Sequence, residues 1–188
     1  MIRTFIAFDT SPSVKNEIIR LQNILREADA DVRWEQEEKL HVTLKFLGDI
    51  EEKFLPQLTA TLETVTNKFS PFEIEYTTIG CFPNTKEPRV IWVGCRDVPQ
   101  SVIRLQREIE TQLAPFGYEI EKRKFSPHIT FGRIKGIKNI FHLLQSIENL
   151  TFSPQKMQCA EILLMKSVLH SYGSIYSPLK VFPLHSIV

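Results

Sequence analysis

Residues 41–48 read HVTLKFLG and residues 128–134 read HITFGRI, and whether these two stretches are equivalent decides the fold. In each, a histidine and a threonine stand two apart with an apolar residue between them: His41, Val42, Thr43 and His128, Ile129, Thr130. Side chains on a strand point alternately to its two faces, so each stretch predicts a β-strand with His and Thr side by side over an apolar underside. The same alternation places Lys45 with His41 and turns Phe46 to the core. It puts Arg133 on the face away from His128 unless a bulge or strand end at Gly132 redirects it.

The surroundings of the two stretches repeat as well. TFIAFDT (4–10) predicts a short apolar strand, and Ser11-Pro12 opens a helix with Val14, Ile18, Leu21, Ile24 and Leu25 at three- and four-residue spacing. A short strand around 32–34, a charged turn EQEEK and the His41 strand follow, stopped at Gly48-Asp49. A helix over about 51–68 and a strand over 72–80 complete the first series. RVIWVGC (89–95) then restarts it, through a helix near 99–114, a strand near 118–122, the basic turn KRK and the His128 strand. A helix near 138–148 and strands near 157–166 and 174–182 finish the chain. Val14 precedes His41 by 27 positions and Ser101 precedes His128 by 27, so the histidines occupy equivalent places. The expected architecture is a single bilobal α+β domain over 1–188, built from two similar halves of about 1–88 and 89–188. An approximate twofold axis would bring the two His strands face to face across a cleft, with helices outside.

Composition narrows the class. The chain has 188 residues, 43% of them hydrophobic, enough for one sizeable core. Its net charge of +1 divides into −4 over residues 1–94 and +5 over 95–188, a mild asymmetry that is weak ground for a polyanion partner. Cys81, Cys95 and Cys159 are odd in number and scattered, and read as reduced structural thiols. No stretch approaches the roughly 18 apolar residues of a membrane span, and no basic leader opens the chain, so a cytoplasmic protein without membrane contact is expected.

Packing asks only for the apolar positions of a strand, so a repeated His-apolar-Thr calls for another reason. Imidazole titrates near 6.5, so one histidine can accept a proton while a charged partner donates one. That suits in-line displacement at phosphorus, with a base on the attacking hydroxyl or water and an acid on the departing alkoxide. A threonine two residues along offers its hydroxyl to a non-bridging phosphate oxygen, where negative charge builds in the transition state. Zinc is the competitor for the histidines, but neither stretch supplies a second strong ligand at chelating spacing. No Gly-x-Ser-x-Gly elbow and no Gly-rich phosphate loop is present. Acid–base catalysis without metal or cofactor is the chemistry these residues support.

The RTFIAFD start, the block VRWEQEEKLHVTLKFLG with Trp34 and His41, and the block SPHITFGR with Pro127, His128, Thr130 and Arg133 together resemble the two-histidine phosphoesterases. More narrowly, nearly the whole chain is similar to the RNA 2′,3′-cyclic phosphodiesterases, also called 2′-5′ RNA ligases. The resemblance implies hydrolysis of a terminal 2′,3′-cyclic phosphate of RNA or of a cyclic nucleotide to a 2′-phosphomonoester, with 2′-5′ ligation as the reverse. It implies His41 as proton donor to the leaving O3′, His128 as the proton acceptor that activates water, and Thr43 and Thr130 as phosphate ligands. A monomer is expected.

Four residues are accessory candidates: Lys45 and Arg133 for the phosphate, Trp34 and Phe125 for stacking on a base. The basic turn 122–124 is a candidate contact for an RNA backbone. His142, His170 and His185 have no echo in the other half and read as surface or structural. Two other readings stay open: a non-catalytic nucleotide- or RNA-binding module of the same fold, and an RNA-processing protein whose main role is ligation or partner binding.

Overall fold

Pro12 begins the first helix where its missing N–H costs nothing, preceded by Ser11 in an extended conformation that makes no side-chain cap bond. The computed structural model describes residues 1–171 and 173–185. Its elements run β1 (Ile2–Asp9), α1 (Pro12–Arg26), β2 (Val32–Trp34), β3 (His41–Ile50), α2 (Leu55–Thr66), β4 (Phe72–Tyr76), β5 (Thr78–Phe82) and β6 (Val90–Gly94). They continue with α3 (Gln100–Leu113), β7 (His128–Ile134), α4 (Ile140–Asn149), β8 (Gln155–Cys159), β9 (Glu161–His170) and β10 (Gly173–Pro183). The fold is α+β, and among the described residues every strand pairing is antiparallel.

One large sheet has the order β10-β9-β1-β3-β7-β6-β5, with β2 attached to β7, and a small sheet pairs β4 with β8. The two His strands are therefore hydrogen-bonded neighbours at the middle of one sheet rather than strands of separate sheets facing each other. They share a single register pair, Val42 with Ile129. Both of these side chains are fully buried beneath the sheet among Val14, Ile18, Leu21, Leu105, Ile109 and other core residues. The strands flanking this centre are exchanged between the halves of the sequence: β9 lies on β1, and β5 lies on β6.

Several elements differ from expectation for reasons of pairing. The strand expected over 72–80 is two, because Phe72–Tyr76 pairs with β8 while Thr78–Phe82 pairs with β6. Residues 157–166 likewise divide between β8 and β9. No strand forms at 118–122; that segment is instead tied down by polar side chains, described below. No helix among the described residues is long and apolar enough to cross a membrane.

Candidate active site

The pairing of Val42 with Ile129 fixes the geometry around it. Their neighbours in sequence point to the other face, so the antiparallel register sets His41 beside Thr130 and Thr43 beside His128. Four polar side chains thus surround one point on the sheet, all partly buried, over an apolar underside.

Each imidazole is oriented in the same way. Nδ1 of His41 lies 2.7 Å from the carbonyl of Lys39, and Nδ1 of His128 lies 2.8 Å from the carbonyl of Ser126. A carbonyl can only accept, so in both rings Nδ1 carries a proton and Nε2 is left as the exchangeable nitrogen. Nε2 of His41 meets the Thr43 hydroxyl at 3.1 Å. The rings also rest on aromatic neighbours: Phe5 at 4.9 Å and Tyr176 at 5.3 Å for His41, Phe82 at 4.9 Å and Trp92 at 6.3 Å for His128. Trp92 stacks on Phe82 and covers Gly80, where any Cβ would collide with the indole.

Burial pushes both histidines below their ordinary value, but the other influences differ. At His41 the hydrogen bond to Lys39 and the carboxylates of Glu35 and Asp9 push back upward, with Arg133 opposing. At His128 only the bond to Ser126 pushes upward, and Arg133 again opposes. The register explains the contrast. Asp9 is the cross-strand partner of His41, whereas the same place beside His128 is held by Gly94.

Beyond the threonines, simple alternation fails on both strands. In β3 the register passes from Ala7–Thr43 to Ile6–Lys45, leaving Leu44 as an extra residue; in β7 it passes from Trp92–Thr130 to Ile91–Gly132, leaving Phe131 extra. Each bulge reverses the faces after it. Lys45 is accordingly not beside His41. It is 8% exposed on the underside, where Nζ donates to Glu110 Oε2 at 2.6 Å and to the carbonyl of Glu119 at 2.8 Å. Glu110 also accepts from Gln106 and from the backbone N–H of Glu121, so the cluster anchors residues 119–121. Phe46, expected in the core, is 74% exposed on the histidine face.

The second bulge turns Arg133 to the histidine face, where Nε donates to Glu35 Oε1 at 2.7 Å. The carbonyl of the extra residue, Phe131, accepts from the Glu35 N–H and from the buried amide of Gln22. Trp34 points to the underside, stacked at 6.2 Å on Phe131 and beneath Arg26, and fills the space that a side chain at Gly132 would need. Phe125 packs against the core. These two aromatics are therefore framework, and Phe5, Phe46, Phe82, Trp92 and Tyr176 are the aromatic residues of the site. A strand reading cannot find most of them, because they arrive by pairing with distant segments. Among the described residues, no three or more His, Cys, Asp or Glu side chains come together as a metal ligand set.

This arrangement has relatives. The family model described as LigT like Phosphoesterase matches the chain twice, over residues 8–92 and 93–176. A protein of Methanothermobacter thermautotrophicus named RNA 2′,3′-cyclic phosphodiesterase is 33% identical over 97% of this chain and 99% of its own length. An Aquifex aeolicus protein of the same name is 33% identical over 97% of each chain. Among solved structures, one from Thermus thermophilus superposes with a TM-score of 0.80 at 23% identity, covering 97% of this chain and 98% of its own. LigT of Escherichia coli in its apo form gives 0.73 at 23% identity, covering 97% of this chain and 96% of its own.

Proposed function

Since the chain belongs to the family of LigT-like phosphoesterases, we propose that it hydrolyses the 2′,3′-cyclic phosphate of RNA ends and cyclic nucleotides to 2′-phosphomonoesters, with His41 as proton donor and His128 as proton acceptor. The observation that carries this reading is the matched pair of imidazoles on adjoining strands, each held at Nδ1 by a carbonyl two residues upstream, with Nε2 of His41 against the Thr43 hydroxyl.

Water attacks phosphorus as Nε2 of His128 takes one of its protons. The new P–O bond forms while the P–O3′ bond breaks, and Nε2–H of His41 protonates the departing O3′. The phosphate remains on O2′. Thr43, Thr130 and Arg133 donate to the non-bridging oxygens, where charge accumulates. The electrostatics support this direction: Asp9 and Glu35 favour the charged form of His41, and no carboxylate does so at His128. In this assignment His41 enters the step protonated, as the acid, and His128 enters it neutral, as the base. After turnover the two rings exchange protons with solvent to return to the starting state.

In this reading the imidazoles and hydroxyls supply the proton transfers and charge stabilisation themselves. The reaction then needs no metal, and the protein works as a cytoplasmic monomer. The halves of about 1–88 and 89–188 form one domain, a reading supported by the exchange of strands between them. Ligation to a 2′-5′ linkage is the same chemistry run backwards, with a 5′-hydroxyl end in place of water.

The test is product analysis in EDTA on a cyclic-ended oligonucleotide and on cyclic mononucleotides. A 2′-phosphate product is expected. A 3′-phosphate overturns the regiochemistry, and nucleotide binding without turnover overturns the enzyme in favour of a binding module.

A further inference from the structure

We propose that Arg33 forms, beside Arg133, a second phosphate position that holds the phosphate on the 5′ side of the terminal ribose and so selects RNA ends over cyclic mononucleotides; this rests on the cyclic phosphodiesterase reading above. Arg33 pairs with Arg133 across β2 and β7, and Trp34 pairs with Gly132. Trp34 lies on the underside, so the two arginines project together from the opposite face, that of the histidines. β2 flanks β7 at residues 132–134, past the single register pair of β3 with β7 at Ile129. Along the same edge of β7, therefore, His41 stands beside Thr130 and Arg33 stands beside Arg133, in one continuous row.

Two like charges directly opposite each other on a sheet repel. Here they share one carboxylate: Glu35 Oε1 accepts from Arg133 Nε at 2.7 Å and lies 4.0 Å from Arg33 Nη2. Neither guanidinium loses its charge, so one positive charge stays unbalanced at a place where both side chains reach solvent, Arg133 at 40% and Arg33 at 49% exposure. Planar guanidiniums in that state fit phosphate oxygens. The polarity of the reaction supplies the rest. If His41 protonates O3′, the terminal ribose lies on the His41 side of phosphorus and water on the His128 side. The chain that continues from the ribose through its 5′ phosphate then leaves along the row toward Arg33.

The experiment compares kcat/KM for a cyclic-ended dinucleotide, which has one internal phosphate, with that for a 2′,3′-cyclic mononucleotide. Wild type is expected to prefer the dinucleotide. Arg33→Gln should reduce the ratio of the two values about tenfold, mainly through KM, the size of one charge-assisted contact. It should also lower the salt slope for the dinucleotide by about 0.7–1. Arg33→Lys should keep most of the salt slope. A ratio cancels any loss of active protein, so an unchanged ratio in Arg33→Gln overturns the assignment even if the variant folds poorly. Brisk wild-type turnover of both substrates with that unchanged ratio sinks Arg33 alone, whereas turnover of neither sinks the cyclic phosphodiesterase reading with it.

Discussion

The strands β3 and β7 are built alike and furnished differently. Both place His, then Thr, on the upper face, and both contain a bulge one residue after the threonine. A buried polar residue of the helix beneath supports each: Glu110 of α3 under β3, Gln22 of α1 under β7. The furnishing then diverges. Lys45 stands where β7 has Gly132, Phe46 stands where β7 has Arg133, and the partner of the histidine is Asp9 on one side and Gly94 on the other. A symmetric scaffold delivers two equivalent imidazoles to one point. The unequal neighbours distinguish them, with Glu35 and Asp9 acting on His41 and no carboxylate acting on His128.

The strongest challenge to that comparison is removal of either ring. His41→Ala and His128→Ala should each lower kcat/KM by about 10²–10⁴, the usual worth of a positioned acid or base. Steady-state kinetics on a 2′,3′-cyclic substrate decides this, and near-normal turnover in either variant would end the two-histidine mechanism. Next come the supports beneath the bulges. Lys45→Met strands the Glu110 charge in the interior and should cost about 3–5 kcal/mol in urea unfolding, while the pair Lys45→Met with Glu110→Leu should regain much of it. Gln22→Leu should cost less, about 1–2 kcal/mol, since the Phe131 carbonyl keeps its bond from the Glu35 N–H while the Glu35 carbonyl loses the Gln22 amide.

A smaller and more pointed effect is expected at Asp9, whose carboxylate favours charged His41. Asp9→Asn should lower the His41 pKa, seen by NMR titration, and move the alkaline limb of kcat/KM to lower pH while the His128 signal stays in place. Equal movement of both rings would remove the electrostatic basis for the assignment. Smallest is the linkage to folding. Both folded histidines titrate below the ordinary value, so the unfolded chain binds more protons between the two. Their contribution to stability is complete above about pH 6.5 and is lost as pH falls through the folded values. Urea midpoints measured between about pH 7.5 and about pH 5 should fall more in wild type than in the His41→Ala, His128→Ala double variant.

The bulges mark the boundary of what sequence could reveal. Up to Thr43 and Thr130, period-two alternation reads both strands correctly. One residue later it sends Lys45 to the wrong face and Phe46 with it, because HVTLKFLG gives no local sign that Leu44 will be extra. Arg133 carried a hint, as the glycine before it is a common mark of irregular strand. Asp9 at the end of one strand and Glu35 just past another were visible as carboxylates, but their nearness to His41 depends on which strands pair. Tyr176 reaches His41 from a strand more than a hundred residues away, and the aromatic neighbours of His128 arrive from β5 and β6.

Period and repetition are local properties, and they are written in the chain: two amphipathic helices, two His-apolar-Thr strands at matching distances, and hence the duplicated α+β plan with its two histidines. Register is not local. Whether β3 and β7 would oppose or adjoin each other, where each ladder would slip by one residue, and which carboxylate would stand beside which imidazole depended on how the strands closed over a shared core. Burying Val42 and Ile129 at one point brought His41, Thr43, His128 and Thr130 together above it, and the bulges turned Arg133 rather than Lys45 to the histidine face.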